Sequence, residues 1–221
     1  MTLMLGDCLD RVAEIPAGSI DAVVTDPPYK LSQEYSANTD PDNLLAVSSI
    51  WPVCAEMSRV TKPGGVMVMF YDTRILPLAL AAAQGGGWKY MRALTLYRKW
   101  GAACLLNGWM STSDFALVFY KPGARPSFNG PAKHDVFVRD KREAEATGHP
   151  AQKPLEFVAN IVSNVCPVGG TVLDPYMGSG TTGVACLNLG RRFIGIEKHP
   201  GHFETARRRI AAALPQLEAA D

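Results

Sequence analysis

The chain has 221 residues, of which 47% are hydrophobic and 19% are charged. This composition supports one folded domain with a substantial core and excludes an intrinsically disordered chain. The formal net charge of +1 speaks against a protein that coats nucleic acid through bulk charge. The charge is unevenly distributed, however: residues 1–87 carry 5 basic and 10 acidic side chains, 88–148 carry 10 and 5, and 149–221 carry 7 and 6. The middle segment is therefore a candidate basic surface.

The cysteines and the N-terminal residues favour a cytoplasmic protein. Five cysteines without a C-x-x-C pair fit poorly with a disulfide framework. No zinc spacing relates them to the four histidines, and we expect no metal site. The N-terminal residues meet an acid at Asp7 and lack the basic region of a signal peptide. No apolar run has the length of a membrane span, so we expect no membrane partner.

Hydrophobic runs and turn residues predict alternating strands and helices. In chain order they predict a strand over 21–25, a helix over 44–61, a strand over 66–70, a helix over 74–83, strands over 89–98 and 114–120, a helix over 154–165, a strand over 171–174, a helix over 181–189, a strand over 193–197 and a helix over 201–213. Residues 121–150 are rich in Pro and Gly and are expected to form a loop. In the last helix, Arg207 to Arg209 are expected to point mostly outward. The fold class is a doubly wound, mostly parallel α/β sheet with helices on both faces.

A glycine-rich turn follows the strand at 171–174. Asp174-Pro175-Tyr176-Met177-Gly178-Ser179-Gly180-Thr181-Thr182 joins that strand to the next helix. Glycines let the backbone approach a ligand closely, and a helix N-terminus offers free N–H groups and a positive dipole. The turn is neither a Walker P-loop nor a G-x-G-x-x-G dinucleotide fingerprint. It is either a ligand-binding loop or a tight turn whose Ser and Thr side chains cap the helix.

The next strand ends in an acid. Glu197 follows Asp174 by 23 residues, and an acid in that place accepts both ribose hydroxyls in dinucleotide-binding folds. With the glycine-rich turn it predicts an adenosine-type site. The alternative is a solvated acid near the start of a helix.

A rigid acceptor site follows the first predicted strand. Asp26-Pro27-Pro28-Tyr29 contains two prolines that restrict the backbone. The Asp26 carboxylate and the Pro27 carbonyl are hydrogen-bond acceptors, which suits an exocyclic amino group, and the Tyr29 ring offers a stacking face for a base. The alternative is a proline-rich turn with a capping Asp.

These two motifs resemble those of the exocyclic-amino DNA methyltransferases, which transfer a methyl group from S-adenosylmethionine to adenine N6 or cytosine N4. The motif at Asp26 precedes the loop at Asp174, an order that resembles the circularly permuted β group. Three further segments, residues 6–9, 59–65 and 149–154, are similar to that family. The resemblance covers most of 1–100 and 149–210. Tyr176 stands where the family usually has Phe, which keeps the ring.

The resemblance implies a Rossmann-like methyltransferase fold and a target base flipped out of double-stranded DNA. The implied catalytic residues are Asp26, Pro27, Pro28 and Tyr29. Asp26 and the Pro27 carbonyl would accept hydrogen bonds from the amino group, while Tyr29 would stack on the base. No covalent intermediate is needed, so no cysteine has a catalytic role.

The resemblance also implies S-adenosylmethionine as the cofactor. Asp7 and Cys8 would contact its adenine, the stem of Lys198 would lie on that ring, and Glu197 would hold the ribose. The methionine carboxylate would meet a second group, made of Ser179, Thr181, Thr182 and Lys153. The full set implied for cofactor binding is Asp7, Cys8, His149, Lys153, Asp174, Pro175, Tyr176, Gly178, Ser179, Gly180, Thr181, Thr182, Glu197 and Lys198.

The basic middle segment contains the region that this family uses for target recognition. We therefore expect one methyltransferase domain over 1–221, with residues 100–148 as a small target-recognition-like insertion. The candidate DNA-binding residues are Lys121, Arg125, Lys133, Arg139, Lys141 and Arg142. Trp100 and Trp109 are better explained by core packing than by base contacts.

Several alternatives stay open. The Asp-initial motif is commoner among adenine-N6 enzymes, which favours adenine, but cytosine-N4 methylation uses a similar site. An RNA methyltransferase and an inactive relative that only binds DNA or cofactor are less favoured. A homodimer and a cognate restriction endonuclease, as in a restriction-modification system, are open as partners.

Overall fold

The structure is a computed structural model that describes residues 1–28, 42–103, 110–140 and 153–214. Its strands are β1 (Thr2–Leu5), β2 (Ile20–Thr25), β3 (Thr61–Tyr71), β4 (Lys89–Ala103), β5 (Met110–Tyr120), β6 (Val136–Arg139), β7 (Thr171–Asp174) and β8 (Arg192–Glu197). Its helices are α1 (Cys8–Ala13), α2 (Asp42–Val60), α3 (Leu76–Gly85), α4 (Leu155–Val165), α5 (Thr181–Asn188) and α6 (Pro200–Ala213), with a short 3-10 helix at Thr73–Ile75. Among the helices of these four ranges, none is long and apolar enough to cross a membrane.

The described strands form one sheet in the order β1-β8-β7-β2-β3-β5-β4-β6. All neighbours are parallel except β5, which runs antiparallel to β3 and β4. Strand side chains alternate between the two faces: Val66 and Val68 of β3 pack on one side, and Met67 and Met69 on the other. Buried side chains of α4, α5 and α6 cover the first face, and those of α1, α2 and α3 cover the second. The predicted fold class is confirmed.

The chain changes faces between β7 and β2, which are neighbours in the sheet. The helix that follows β7 in sequence, α5, lies on the first face, whereas the helix that follows β2, α2, lies on the second. Connections that leave neighbouring strands toward opposite faces open a crevice at the carboxyl ends of the strands, and ligands of open α/β sheets bind in such a crevice. The fold therefore places a candidate site after Thr25 and Asp174.

The amino ends of these two strands are held together by Asp21 in β2. Its Oδ2 accepts a hydrogen bond of 2.8 Å from the backbone N–H of Thr171, the first residue of β7. Its Oδ1 pairs with the Lys62 ammonium at 2.5 Å. At the other end, the Thr25 hydroxyl donates to Asp174 across a distance of 2.8 Å. Side-chain contacts therefore link β2 to β7 at both ends.

The structure differs from the predicted elements in several places, including β4, which continues to Ala103 rather than 98, and β5, which begins at Met110 rather than 114. It contains β1, α1 and β6, which the pattern does not predict, because these elements have four to six residues and bury almost nothing themselves, Val12 of α1 excepted. The segment 121–150, expected to be a loop, therefore contains a strand at Val136–Arg139. In addition, β3 begins at Thr61 rather than 66, because Ile20 pairs with Thr61 and Ala22 with Val66, so residues 62–65 form an irregularity in the register of this pair.

Candidate active site

Four acids lie at the carboxyl edge of the parallel strands. Asp174 and Glu197 are the last residues of β7 and β8, Asp26 directly follows β2, and Asp7 lies two residues after β1. Since these four strands are neighbours and run parallel, their carboxyl ends meet at one edge of the sheet. The structure thus brings together residues from both predicted motifs and from the N-terminal segment.

The glycine-rich loop needs its glycines for two different reasons. Gly178 and Gly180 have φ values of +52° and +82°, a region that other residues adopt only at a cost. A Cβ on Gly178 would meet no atom within 4 Å, whereas one on Gly180 would lie 3.0 Å from side chains of α6. Gly180 therefore allows the loop to pack on α6, and Gly178 leaves an open space that a ligand can fill.

Asp174 organises this loop from inside the protein. It is 3% exposed, and its carboxylate accepts hydrogen bonds from the Thr25 hydroxyl, the Thr182 hydroxyl and the Tyr176 N–H at 2.8, 2.8 and 3.1 Å. Burial raises the pKa of Asp174 to about 7, although the hydrogen bonds offset part of this effect. Pro175 beside it is buried too. Burial and these three contacts let Asp174 hold the loop in place, and its contact with the cofactor stays a prediction.

The hydroxyl groups of the loop already have partners. Thr182 donates to Asp174, and Ser179 and Thr181 lie next to Arg209 of α6. The Arg209 guanidinium donates to the Ser179 carbonyl at 2.6 Å, to its hydroxyl at 2.9 Å and to the Thr181 hydroxyl at 3.4 Å. The expectation that Arg209 points outward is wrong, because it lies three residues after the buried Ala206 and borders the buried face of the helix. Its charge brings a cation to the loop, a feature that the sequence pattern missed.

Glu197 and Asp7 lie beside the glycine-rich loop and form a second side of the candidate site. The Glu197 carboxylate accepts the Gly178 N–H at 3.0 Å and the His199 N–H at 2.7 Å. Asp7 caps α1 through the Leu9 N–H at 3.0 Å and pairs with Lys198 at 3.2 Å. Each carboxylate oxygen has a further lone pair, so both acids can accept hydrogen bonds from an adenosine. The residues present therefore fit the adenine and ribose of the predicted cofactor, beside the open space at Gly178.

Cys8 and Tyr176 lie next to each other on the same side of the candidate site. The Tyr176 hydroxyl is buried, and burial raises its pKa, with the neighbouring Cys8 thiol adding to the effect. Burial also raises the pKa of Cys8, while the Tyr176 side chain lowers it in part. Both groups are therefore neutral near pH 7, which suits an uncharged purine ring.

Across the crevice, Asp26 pairs with Lys153. The ammonium lies 2.6 Å from Asp26 Oδ2 and 5.1 Å from the centre of the Phe70 ring. Pro27 is buried and Pro28 is exposed. Lys153, which the resemblance places at the methionine carboxylate, lies against the predicted catalytic acid in this structure. Tyr29 and His149 lie outside the described residues.

Three candidate DNA-binding residues lie toward the other edge of the sheet. Because Tyr120 at the end of β5 pairs with Val66 near the start of β3, Lys121 and the turn that carries Arg125 follow at the amino edge. The Lys121 ammonium donates to the Thr61 carbonyl at 2.7 Å. Lys133 donates to Asn160 and Ser163 in the second half of α4, and burial and Arg191 lower its pKa.

Lys121, Arg125 and Lys133 therefore do not share an edge with Asp26, and their role in DNA binding stays a prediction. Charge counted along the sequence cannot tell which end of a strand a residue occupies. Arg139 does lie at the carboxyl edge, because β4 and β6 run parallel to β3 and Arg139 pairs with Arg98. Lys99 lies there as well, paired with Asp140 at 2.6 Å. Lys141 and Arg142 are outside the described residues.

The structure is an α/β protein whose candidate site combines acids and a glycine-rich loop at one edge of a mostly parallel sheet. The family model described as DNA methylase, of the N6 and N4 type, matches residues 20–208. The chain belongs to this family, which confirms the predicted enzyme class, a DNA methyltransferase.

Individual relatives agree with this assignment. The DNA adenine methyltransferase YhdJ of Escherichia coli K12 is 27% identical over 96% of this chain and 83% of its own. The crystal structure of an M1.HpyAVI–SAM complex is 27% identical, with a TM-score of 0.74 over 95% of this chain and 98% of its own. The cytosine-N4-specific PvuII DNA methyltransferase has the same fold, with a TM-score of 0.78 at 15% identity over 99% of this chain and 93% of its own. The predicted cofactor, S-adenosylmethionine, agrees with the M1.HpyAVI complex.

Proposed function

We propose that this protein transfers a methyl group from S-adenosylmethionine to the exocyclic N6 of an adenine flipped out of double-stranded DNA. The observation that carries the proposal is the position of Asp26 at the β7–β2 crevice, at the same edge of the sheet as the glycine-rich loop and the acids Glu197 and Asp7. A target amino group held at Asp26 faces the place where the cofactor fits.

The residues of this chain act mainly by binding and orientation. Asp26 and the Pro27 carbonyl accept hydrogen bonds from the two amino N–H groups, which directs the nitrogen lone pair toward the cofactor, and Asp26 can take the proton that the nitrogen loses. Tyr29 stacks on the base, a contact worth roughly 1–3 kcal/mol. When bound, S-adenosylmethionine supplies a methyl group on a good leaving group. Holding both partners in line supplies much of the rate acceleration.

The choice of adenine over cytosine rests on the Asp-initial motif and on the adenine methyltransferase YhdJ among the relatives. Carboxylate and carbonyl acceptors suit the amino group of either base, and the cytosine-N4 enzyme shares the fold. Cytosine-N4 methylation is therefore the second candidate.

Incubation with labelled S-adenosylmethionine and unmethylated genomic DNA tests the proposal, with RNA and protein as parallel substrates. We expect label in DNA, and N6-methyladenine after digestion to nucleosides and mass analysis. Asp26→Ala should fold and bind cofactor but lose methyl transfer by at least a hundredfold. N4-methylcytosine as the product would replace adenine by cytosine, and full activity of Asp26→Ala would refute the assigned site.

A further inference from the structure

Lys153 occupies a half-enclosed place inside the candidate target-base pocket. Its side chain is 11% exposed and that of Asp26 is 28% exposed. The ammonium lies between the Asp26 carboxylate and the face of Phe70, a ring that is 3% exposed at the end of β3. A lysine that served only the surface would keep its charged end in water. This one points inward, toward the acid on which the proposed chemistry depends.

A second carboxyl group lies close to Asp26. The negative charge of Asp26 is close enough to contribute to the raised pKa of Asp174, and like charges at short range disfavour ionisation of one another. Asp174, from the end of β7, and Lys153, from the segment before α4, both face Asp26. The Lys153 ammonium, 2.6 Å from Asp26 Oδ2, favours the ionised form of Asp26.

The pairing is also compatible with substrate binding. A carboxylate has about four acceptor sites on its two oxygens, and the ammonium uses a site on Oδ2. A target amino group can therefore be accepted by the same carboxylate without removal of Lys153. The Phe70 ring beneath the ammonium supports that position through a cation–π contact.

We propose that Lys153 is a positioning residue for Asp26, which it holds ionised and oriented for the target amino group, and that it is not a ligand of the methionine carboxylate. This inference rests on the proposed function for its catalytic consequence. It replaces the role that the sequence resemblance implies for Lys153.

The test uses Lys153→Met and Lys153→Arg in the full chain. Lys62→Met is a matched control, because Lys62 forms the same kind of pair with Asp21 at the opposite end of β2. One measurement gives dissociation constants for S-adenosylhomocysteine and for 5′-methylthioadenosine, which lacks the amino-acid part. The other gives the single-turnover rate constant of methyl transfer to unmethylated genomic DNA between pH 5 and pH 9.

For Lys153→Met we expect both dissociation constants to stay within twofold of the wild type. The rate constant at pH 7 should fall at least tenfold, and the acidic limb of its pH profile should move to higher pH, since a carboxylate without its cation takes up a proton more readily. Lys153→Arg should restore most of the rate, and Lys62→Met should change neither quantity.

Selective weakening of S-adenosylhomocysteine by tenfold or more, with 5′-methylthioadenosine unaffected, would overturn the proposal in favour of the methionine carboxylate. A wild-type rate and pH profile in Lys153→Met would also overturn it. The binding measurements contain no DNA, so they decide between the two roles even if the wild type transfers no methyl group. A wild-type protein that transfers no methyl group would refute the proposed function but not the role of Lys153.

Discussion

Replacing Asp174 with asparagine tests whether burial at the end of β7 makes this carboxyl group hold a proton near neutral pH. Burial raises its pKa from 3.8 to about 7, so the folded protein binds this proton more tightly than the unfolded chain. The folded state is therefore favoured at low pH, and the contribution of Asp174 to stability falls as the pH rises from about 4 to about 7. Asparagine has nearly the same shape and does not titrate, so the variant lacks this dependence.

The size of the effect follows from the two pKa values. A difference of three pH units corresponds to about 4 kcal/mol over the whole range, of which about 2 kcal/mol falls between pH 5 and pH 7. The asparagine also loses one acceptor for the hydroxyl and N–H donors around it. That loss gives an offset that does not depend on pH.

Urea unfolding of both proteins at several pH values between 5 and 8 measures the difference in free energy of unfolding. We expect Asp174→Asn to gain about 2 kcal/mol relative to the wild type between pH 5 and pH 7 and to change little above pH 8. Asp10→Asn, at an exposed acid in the first turn of α1, serves as the control and should show no such gain. A pH-independent difference for Asp174→Asn would refute the reasoning.

Two further predictions concern ligand binding. Gly178→Ala should cost roughly 1–2 kcal/mol of stability through its backbone conformation alone, and it should weaken S-adenosylmethionine binding at least tenfold. Gly180→Ala places its Cβ against α6 as well, so it should lower the melting temperature more than Gly178→Ala. Equal melting temperatures for the two variants would contradict this. Lys99→Ala combined with Arg139→Ala should reduce the slope of log K against log salt for DNA binding by about 1.8, or 0.9 per lost phosphate contact. Arg125→Ala, at the amino edge, should leave that slope unchanged. A larger change in slope for Arg125→Ala than for the double variant would indicate that DNA binds at the amino edge instead.

The sequence predicts the strands and turns that deliver the acids, because their signals are local. Continuous apolar runs that stop at Asp26 and Asp174 are typical of buried parallel strands, and parallel order then brings both acids to one edge. The fold class and the family follow from these residues. The short outer strands β1 and β6 escape prediction, because an edge strand buries little and leaves no clear alternation.

Side-chain partners are harder to predict than strand positions. Lys153 is separated from Asp26 by 127 residues, and no spacing rule relates them, so the sequence supports the methionine carboxylate as well as Asp26. Arg209 stands in a run of three arginines, and its inward direction depends on a few tens of degrees around α6. Long-range contacts of single side chains are decided by packing, which pattern alone does not reveal.

The contacts that link β2 to β7 at both ends make the crevice behave as a stiff frame. Asp21 binds Thr171 at one end and Thr25 binds Asp174 at the other, so neither strand can slide along its neighbour without breaking a buried or half-buried hydrogen bond. The distance between Asp26, which follows β2, and the glycine-rich loop, which follows β7, is then set before any substrate arrives.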